Sequence, residues 1–330
     1  MSRKIDDPII RDANDPAAIG QALELLRAGQ CVAVPTETVY GLAADATNGD
    51  GVARIFAAKG RPSFNPLICH VPDMGMADRL AFIDPLSEAL MAAFWPGALT
   101  IVCRLREESG IHPLATAGLD TVGLRSPVGV MSALARALGQ PLAAPSANKS
   151  GRVSPTSAAH VAASLEGRIP LILDGGAARV GVESTIVRVE ADHIALLRPG
   201  GISRGAIAQA SGRPVRTPSR GASNPIVTAP GQLTSHYAPT GAVRLDAEHV
   251  EPHEWLIAFG PRLPEGHDAA RGIINLSPSG DLREAAANLF GALAAIDRPA
   301  IRAIAVMPIP DEGLGEAIND RLKRAAAPRD

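Results

Sequence analysis

Aromatic residues make up only 3% of this chain of 330, with two Trp, two Tyr and six Phe. Its core must therefore be assembled from Ala, Val, Leu and Ile. Cysteine is as scarce. Cys31, Cys69 and Cys103 each lie in an apolar run, with no CxxC spacing among them, which excludes a disulfide framework and the common zinc sites and reads as three reduced, buried thiols. No apolar run approaches the ~20 residues a membrane span needs. The first fifteen residues, MSRKIDDPIIRDAND, lack the apolar core of a signal peptide, so a cytoplasmic protein without membrane contact is expected. Net charge is −2, with 20 basic and 20 acidic residues before Pro214 and 12 and 14 from there onward, so charge makes no general case for polyanion binding. There is no GxxxxGK[ST] loop, no GxGxxG turn and no HExxH helix, and the common phosphate-loop, dinucleotide and zinc-hydrolase solutions are absent with them. Eight histidines are scattered, and no spacing presents a nucleophile with its base.

What is there gathers between Pro35 and His70, PTETVYGLAADATNGDGVARIFAAKGRPSFNPLICH. Short apolar runs at Cys31 to Val34 and Leu67 to Val71 read as strands. Between them a helix is predicted, started by Asp50, buried through Val52, Ile55 and Phe56, and stopped by Gly60 and Pro62. Polar residues then collect at strand ends, where open α/β sheets bind ligands. Thr36, Glu37, Thr38 and Tyr40 crowd one exit; Lys59, Arg61, Asn65 and His70 follow. Lys59 stands out because Lys4, Lys59, Lys149 and Lys323 are the whole lysine complement. The group suits an anionic ligand. Any one of these residues alone is better read as a turn residue or a solvated helix end; the whole group is better read as a site.

The same alternation continues. Helices are predicted after Asp15-Pro16, with Ile19, Ala22, Leu23 and Leu26 inward, and after Asp84-Pro85, with Leu86, Ala89, Leu90 and Phe94 inward. Strands are read at Leu99 to Leu105 and Thr121 to Arg125, and a helix with Val130, Leu134 and Leu138 inward stops at Gly139. A strand from Leu142 to Ala144 runs into PSANKSG, small residues that fit either close phosphate contact or an ordinary turn. Thr156 caps the next helix. Pro170 to Asp174 is a strand, Ser184 to Val189 and His193 to Arg198 form a hairpin, and Ser203 caps a helix. Arg125 and Arg198 both end strands. Prolines 214, 218, 225, 230 and 239 then remove periodicity from a linker that carries Ser235, His236 and Tyr237. Beyond it, strands at 255–259, 272–276 and 300–307 alternate with helices at 281–296 and 314–326, which implies a small parallel sheet. The division expected is 1–213, a linker and lid over 214–240, and 241–330. Catalysis is expected in the first unit, because the second is poor in polar residues.

PTETVYGL, KGRPSFNPLICH, APSANKSG, ESTIV and LRPGGIS, in that order, resemble the YrdC-like threonylcarbamoyl-adenylate synthases in their two-domain form. The resemblance implies an α/β fold: a YrdC-like twisted open sheet, a proline-rich linker, and a smaller Rossmann-like α/β domain. It implies condensation of L-threonine, bicarbonate or CO2 and ATP, with Mg2+, into threonylcarbamoyl-adenylate and pyrophosphate. A downstream tRNA-modifying transferase would consume the product, and weak RNA contact is a further partner it allows. By the same resemblance Thr38, His70, Arg125, Ala144 and Ser184 would bind threonine. Lys59, Arg61, Asn65, Thr121, Ser146, Ser154, Arg198 and Tyr237 would bind ATP, with Lys59 and Arg61 catalytic and no metal held by the protein. The sequence departs from the family pattern at Ala43, at Gly123-Leu124 and in the APG opening of the linker motif. Two other readings stand beside it: an RNA- or nucleotide-binding module of this fold, and a related carbamoyltransferase. The second is disfavoured by the absence of CxxC pairs.

Overall fold

The computed structural model describes residues 8–218 and 237–328. Ser235 and His236 lie outside those residues. The first unit holds strands β1 (Ile9–Asp12), β2 (Val32–Val34), β3 (Gly41–Asp45), β4 (Ile68–His70), β5 (Ala81–Phe82), β6 (Leu99–Leu105), β7 (Thr121–Arg125), β8 (Leu142–Ala143), β9 (Leu171–Asp174), β10 (Thr185–Val189), β11 (Ile194–Arg198) and β12 (Val215–Arg216). Its helices are α1 (Pro16–Arg27), α2 (Gly49–Lys59), α3 (Met74–Leu80), α4 (Pro85–Phe94), α5 (Pro113–Thr116), α6 (Val130–Leu138), α7 (Ala158–Leu165) and α8 (Arg204–Ser211). The strands form one mixed sheet in the order β1-β9-β2-β3-β8-β4-β7-β6-β10-β11-β12, with β5 paired to β6.

Period-two alternation decides what each face of this sheet does. Cys69, Ile101, Val122, Leu124 and Val187 point into the main core, against Val52, Ile55 and Phe56 of α2, Leu90 and Met91 of α4, and Val161 of α7. The opposite face divides in two. Over β2, β3, β8 and β9 it is covered by Ala22 and Leu26 of α1 and Met131, Leu134 and Ala135 of α6. Over β4, β6 and β10 only a small apolar floor remains, Ile68, Val102 and Ile186. Here the sheet faces a cleft instead of a helix.

Local chemistry sets the helix ends. Asp15, Asp84 and Ser203 cap α1, α4 and α8 as the sequence requires, each side chain accepting from a first-turn N–H. Two caps differ from expectation: Asn48, not Asp50, caps α2, and Ser157, not Thr156, caps α7. The inward face of α4 is Ser87, Leu90 and Met91, while Ala89 is exposed. The linker also begins differently, since Val215–Arg216 adds a strand parallel to β11. Pro214 stands just before this edge strand, where its carbonyl accepts from Ile194 N–H, and a proline is tolerated at the start of an edge strand.

The second unit adds β13 (Ala242–Arg244), β14 (Trp255–Ala258), β15 (Gly272–Asn275) and β16 (Ala303–Val306), all parallel in the order β13-β16-β14-β15, with α9 (Leu282–Ile296) and α10 (Gly315–Ala326). Its core is continuous with the first unit: Val39, Val182 and Tyr237 pack with Phe290, Leu289 and Ile318. Among the described residues no helix is long and apolar enough to cross a membrane. The three cysteines are buried free thiols.

Candidate active site

The cleft encloses about 590 Å3, open mouth included, and is lined by Thr36, Thr38, Val39, Gly41, Arg61, Ile68, His70, Arg125, Ala144, Pro145, Ser146, Glu183, Ser184, Arg198 and Tyr237. Register explains one wall. β4 and β7 run parallel with His70 opposite Arg125, so imidazole and guanidinium stand side by side at two strand ends. Arg125 is buried; its Nε donates to Gly97 O at 3.1 Å and its Nη2 to Glu37 Oε1 at 2.7 Å. The other Glu37 oxygen accepts from Val128 N–H. Glu37 thus fixes the arginine's fork in place.

The second group of cations is crowded. Arg198 donates through Nε and Nη2 to Ser184 O, and through Nη2 to Ser184 Oγ, which also pairs with Thr100 Oγ1 at 2.7 Å. Arg61 donates to the carbonyls of Asn65 and Pro66. Burial, reinforced for Arg61 by Arg198, pushes each guanidinium down to about 10. Cations held together out of water form a site poised for anions.

Most of the sequence-predicted residues meet in this cleft: Thr38, Arg61, His70, Ala144, Arg125, Ser146, Ser184, Arg198 and Tyr237. Four stand elsewhere. Lys59 is buried beneath the PSANKSG loop, its Nζ donating at 2.5 Å to both Ser146 O and Asn148 O while its own carbonyl accepts from Ser150 N–H. Burial and the neighbouring Arg61 push its ammonium well below the usual lysine range. Its place is that of a clamp on the loop, where a lysine facing phosphate was expected. Asn65 is buried and serves Arg61 through its carbonyl. Ser154 is buried behind the lining, donating to Glu183 Oε1 at 2.6 Å. Thr121 opens β7 opposite Arg104, four residues from Arg125 and therefore roughly 13 Å along the strand. It does not line the cleft.

Sequence reasoning missed two charged groups. Glu183 belongs to the ESTIV motif, yet nothing in the motif marks it as part of the wall. Its partner Arg321 comes from α10 and is fully buried, with Nε 2.8 Å from Glu183 Oε2 and its guanidinium 5.5 Å from the centre of the Tyr237 ring. Tyr237 is itself buried, sits at φ 63° and stacks at 5.3 Å on Phe290. The lining residues before the linker all belong to the first unit, and the second unit supports them through Arg321.

Among the described residues, four buried side-chain polar atoms lack a hydrogen-bond partner: Asn65 Oδ1, His70 Nδ1, Asn148 Oδ1 and Arg321 Nη2. Of these only His70 lines the cleft, where its unmet nitrogen is open to a ligand; the other three belong to residues outside the lining. No group of three His, Cys, Asp or Glu able to hold a metal occurs among these residues. The site carboxylates Glu37 and Glu183 are already paired with arginines, so the donor set does not suit a protein-held Mg2+.

Burial, with Arg125 beside it, lowers the His70 ring to about 3 from the usual 6.5. The folded protein therefore binds fewer protons than the unfolded chain between those values. The stability His70 supports is complete above pH 6.5 and is lost as pH falls toward 3. The thermal midpoint of the wild type is expected to fall more steeply from pH 7 to pH 5 than that of His70→Gln; parallel slopes would contradict the buried neutral ring.

A mixed α/β fold with a helix-free patch of sheet and a group of buried arginines suits an enzyme of the anion-gathering kind, one that joins charged reactants by holding them together. The comparisons agree. Residues 24–200 match the family model described as telomere recombination, and residues 202–327 match threonylcarbamoyl-AMP synthase, C-terminal domain. The threonylcarbamoyl-AMP synthase of Bacillus subtilis is 41% identical, the match covering 96% of this chain and 94% of that protein. The structure of P. abyssi Sua5 complexed with L-threonine superposes with a TM-score of 0.86 at 35% identity, covering 98% of this chain and 97% of that one. E. coli YciO, at 23% identity and a TM-score of 0.51 over 61% of this chain, shares the fold. The chain belongs to the threonylcarbamoyl-AMP synthase family and is an enzyme of the nucleotidyltransferase type.

Proposed function

We propose that the cleft makes threonylcarbamoyl-AMP from L-threonine, bicarbonate or CO2, and MgATP, releasing pyrophosphate for the first step of threonylcarbamoyladenosine formation in tRNA. The observation that carries this reading is the buried arginine set, Arg125 held by Glu37, and Arg61 close to Arg198, which is bonded to Ser184. The threonine carboxylate takes the Arg125 side, and its hydroxyl finds Thr38, the neutral His70 ring and Ser184. The triphosphate takes Arg61, Arg198 and Ser146, with Tyr237 bordering the nucleotide. Mg2+ arrives on the phosphates as part of the substrate.

The threonine amine adds to CO2 and loses a proton, giving a carbamate. A carbamate oxygen then bonds to the α-phosphorus as the bond to the β-phosphate oxygen breaks, and pyrophosphate leaves with the electron pair. The protein contributes position and positive charge and forms no covalent bond. Weak RNA contact and a tRNA-modifying transferase that takes the product remain within this proposal.

Pyrophosphate release is expected only when threonine, bicarbonate and ATP are all present. Valine should turn over at least tenfold more slowly, because polar groups built for a hydroxyl are left unpaired by its isostere. Release without threonine, or equal rates with valine, would sink the assignment.

A further inference from the structure

We propose that Arg321, carried by α10 of the second domain, is a positioning residue for the nucleoside triphosphate: it holds Glu183 away from the cations that bind phosphate and backs the Tyr237 ring. The proposal rests on the nucleotide half of the function above. Glu183 is an anion in the lining of a cleft read as a binding place for anions. Left alone, its carboxylate would repel phosphate or draw Arg198 and Arg61 onto itself.

The geometry prevents both. Glu183 Oε2 accepts from Arg321 Nε at 2.8 Å, and Oε1 accepts from Ser154 Oγ at 2.6 Å. The arginine is anchored in turn, Nη1 donating to Pro199 O at 2.9 Å and to Asp320 Oδ2 at 2.7 Å. Pro199 follows Arg198 directly, so one guanidinium ties the acidic wall, the end of β11 and the Tyr237 ring together. Burial alone would raise the Glu183 carboxyl; Arg321, Arg198 and Ser154 outweigh it and hold it at about 2. Charged or titratable groups acting with Glu183 are Arg321 on α10, Arg198 on β11, Lys59 on α2 and Tyr237. A buried carboxylate that loses its main cation keeps its charge only at a high cost.

The test is equilibrium binding of α,β-methylene ATP and of L-threonine, each by calorimetry, with the full chain. Arg321→Met is expected to weaken the nucleotide analogue at least tenfold and threonine less than twofold. Relative to the wild type, in which the analogue's own terminal phosphate sets the pH dependence, its nucleotide affinity should improve as pH falls, because an unpaired buried Glu183 gains more from taking up a proton than a paired one. Arg321→Lys should lie between. The doubly neutral Arg321→Met/Glu183→Gln chain, free of any buried unpaired charge, should return to within about threefold of the wild type. Should Arg321→Met fail to fold, the double variant and Arg321→Lys decide. Unchanged analogue affinity in Arg321→Met, or a folded double variant as weak as the single one, overturns the proposal and leaves Arg321 a plain structural contact. A wild type that binds the analogue but makes no adenylate refutes the function above and leaves this inference standing; one that binds no nucleotide refutes both.

Discussion

Arg125→Ala is expected to weaken L-threonine binding by roughly 10- to 150-fold, since a charge-assisted contact is worth about 1.5 to 3 kcal/mol. Nucleotide affinity should change only a fewfold. Arg61→Ala should do the reverse, because the cation it removes lies with Arg198 in the part of the cleft assigned to the triphosphate. Loss of the Arg125 guanidinium also strips Glu37 of its buried partner, so the folded state must be checked by its melting curve before affinities are compared. Arg125→Lys serves as the companion: it keeps the charge but cannot donate to Gly97 O, Glu37 and a ligand carboxylate from one planar fork. Titration calorimetry with each ligand separately reads the split. Equal losses of both ligands in both alanine variants would show that the cleft is not divided as proposed.

A large loss of stability is expected from Gly181→Ala. Gly181 sits at φ +76°, and an added Cβ would come within 2.3 Å of Ala286 O and 2.4 Å of Ala287 Cα, both backbone atoms of α9. The strained backbone costs about 1 to 2 kcal/mol, and forcing a methyl against a packed helix adds about 1 to 3. The sum should lower the melting temperature by several degrees. Gly212→Ala is the control, because its φ is also positive at +63° while nothing lies within 4 Å of the added carbon. It should lose only the backbone part. If calorimetry gives the two variants the same midpoint, the close contact between the domains at Gly181 is not real.

Strands with strong local signals were legible from the chain. Leu99–Leu105 and Thr121–Arg125 have the boundaries the sequence implies, because runs rich in Val, Ile and Thr are flanked by Gly, Pro or Asp. β3, GLAAD, was missed. Glycine and alanine carry little strand preference, and this segment is a strand because β2 and β8 pair with it on either side. The cleft residues were legible as motifs, but which way a side chain turns was not. Lys59 and Arg61 are two residues apart, yet one goes under the loop and the other into the cleft. Arg321 was illegible for a different reason. It sits in a helix with Asp320, Lys323 and Arg324 close by, and nothing in one sequence separates a fully buried arginine from the less buried charged residues beside it.

The pairing of Glu183 with Arg321 spans 138 positions, and it fixes an order of events during synthesis. A ribosome adding roughly 5 to 20 residues per second takes roughly 7 to 28 s to go from one partner to the other. Once β12 has been made within that interval the larger sheet can form, while its acidic wall still lacks its cation and Val39 and Val182 lack the apolar surface that later covers them. The wall that borders the nucleotide is therefore completed only by the last tenth of the chain, and a nascent protein cannot have the finished site before α10 has been made.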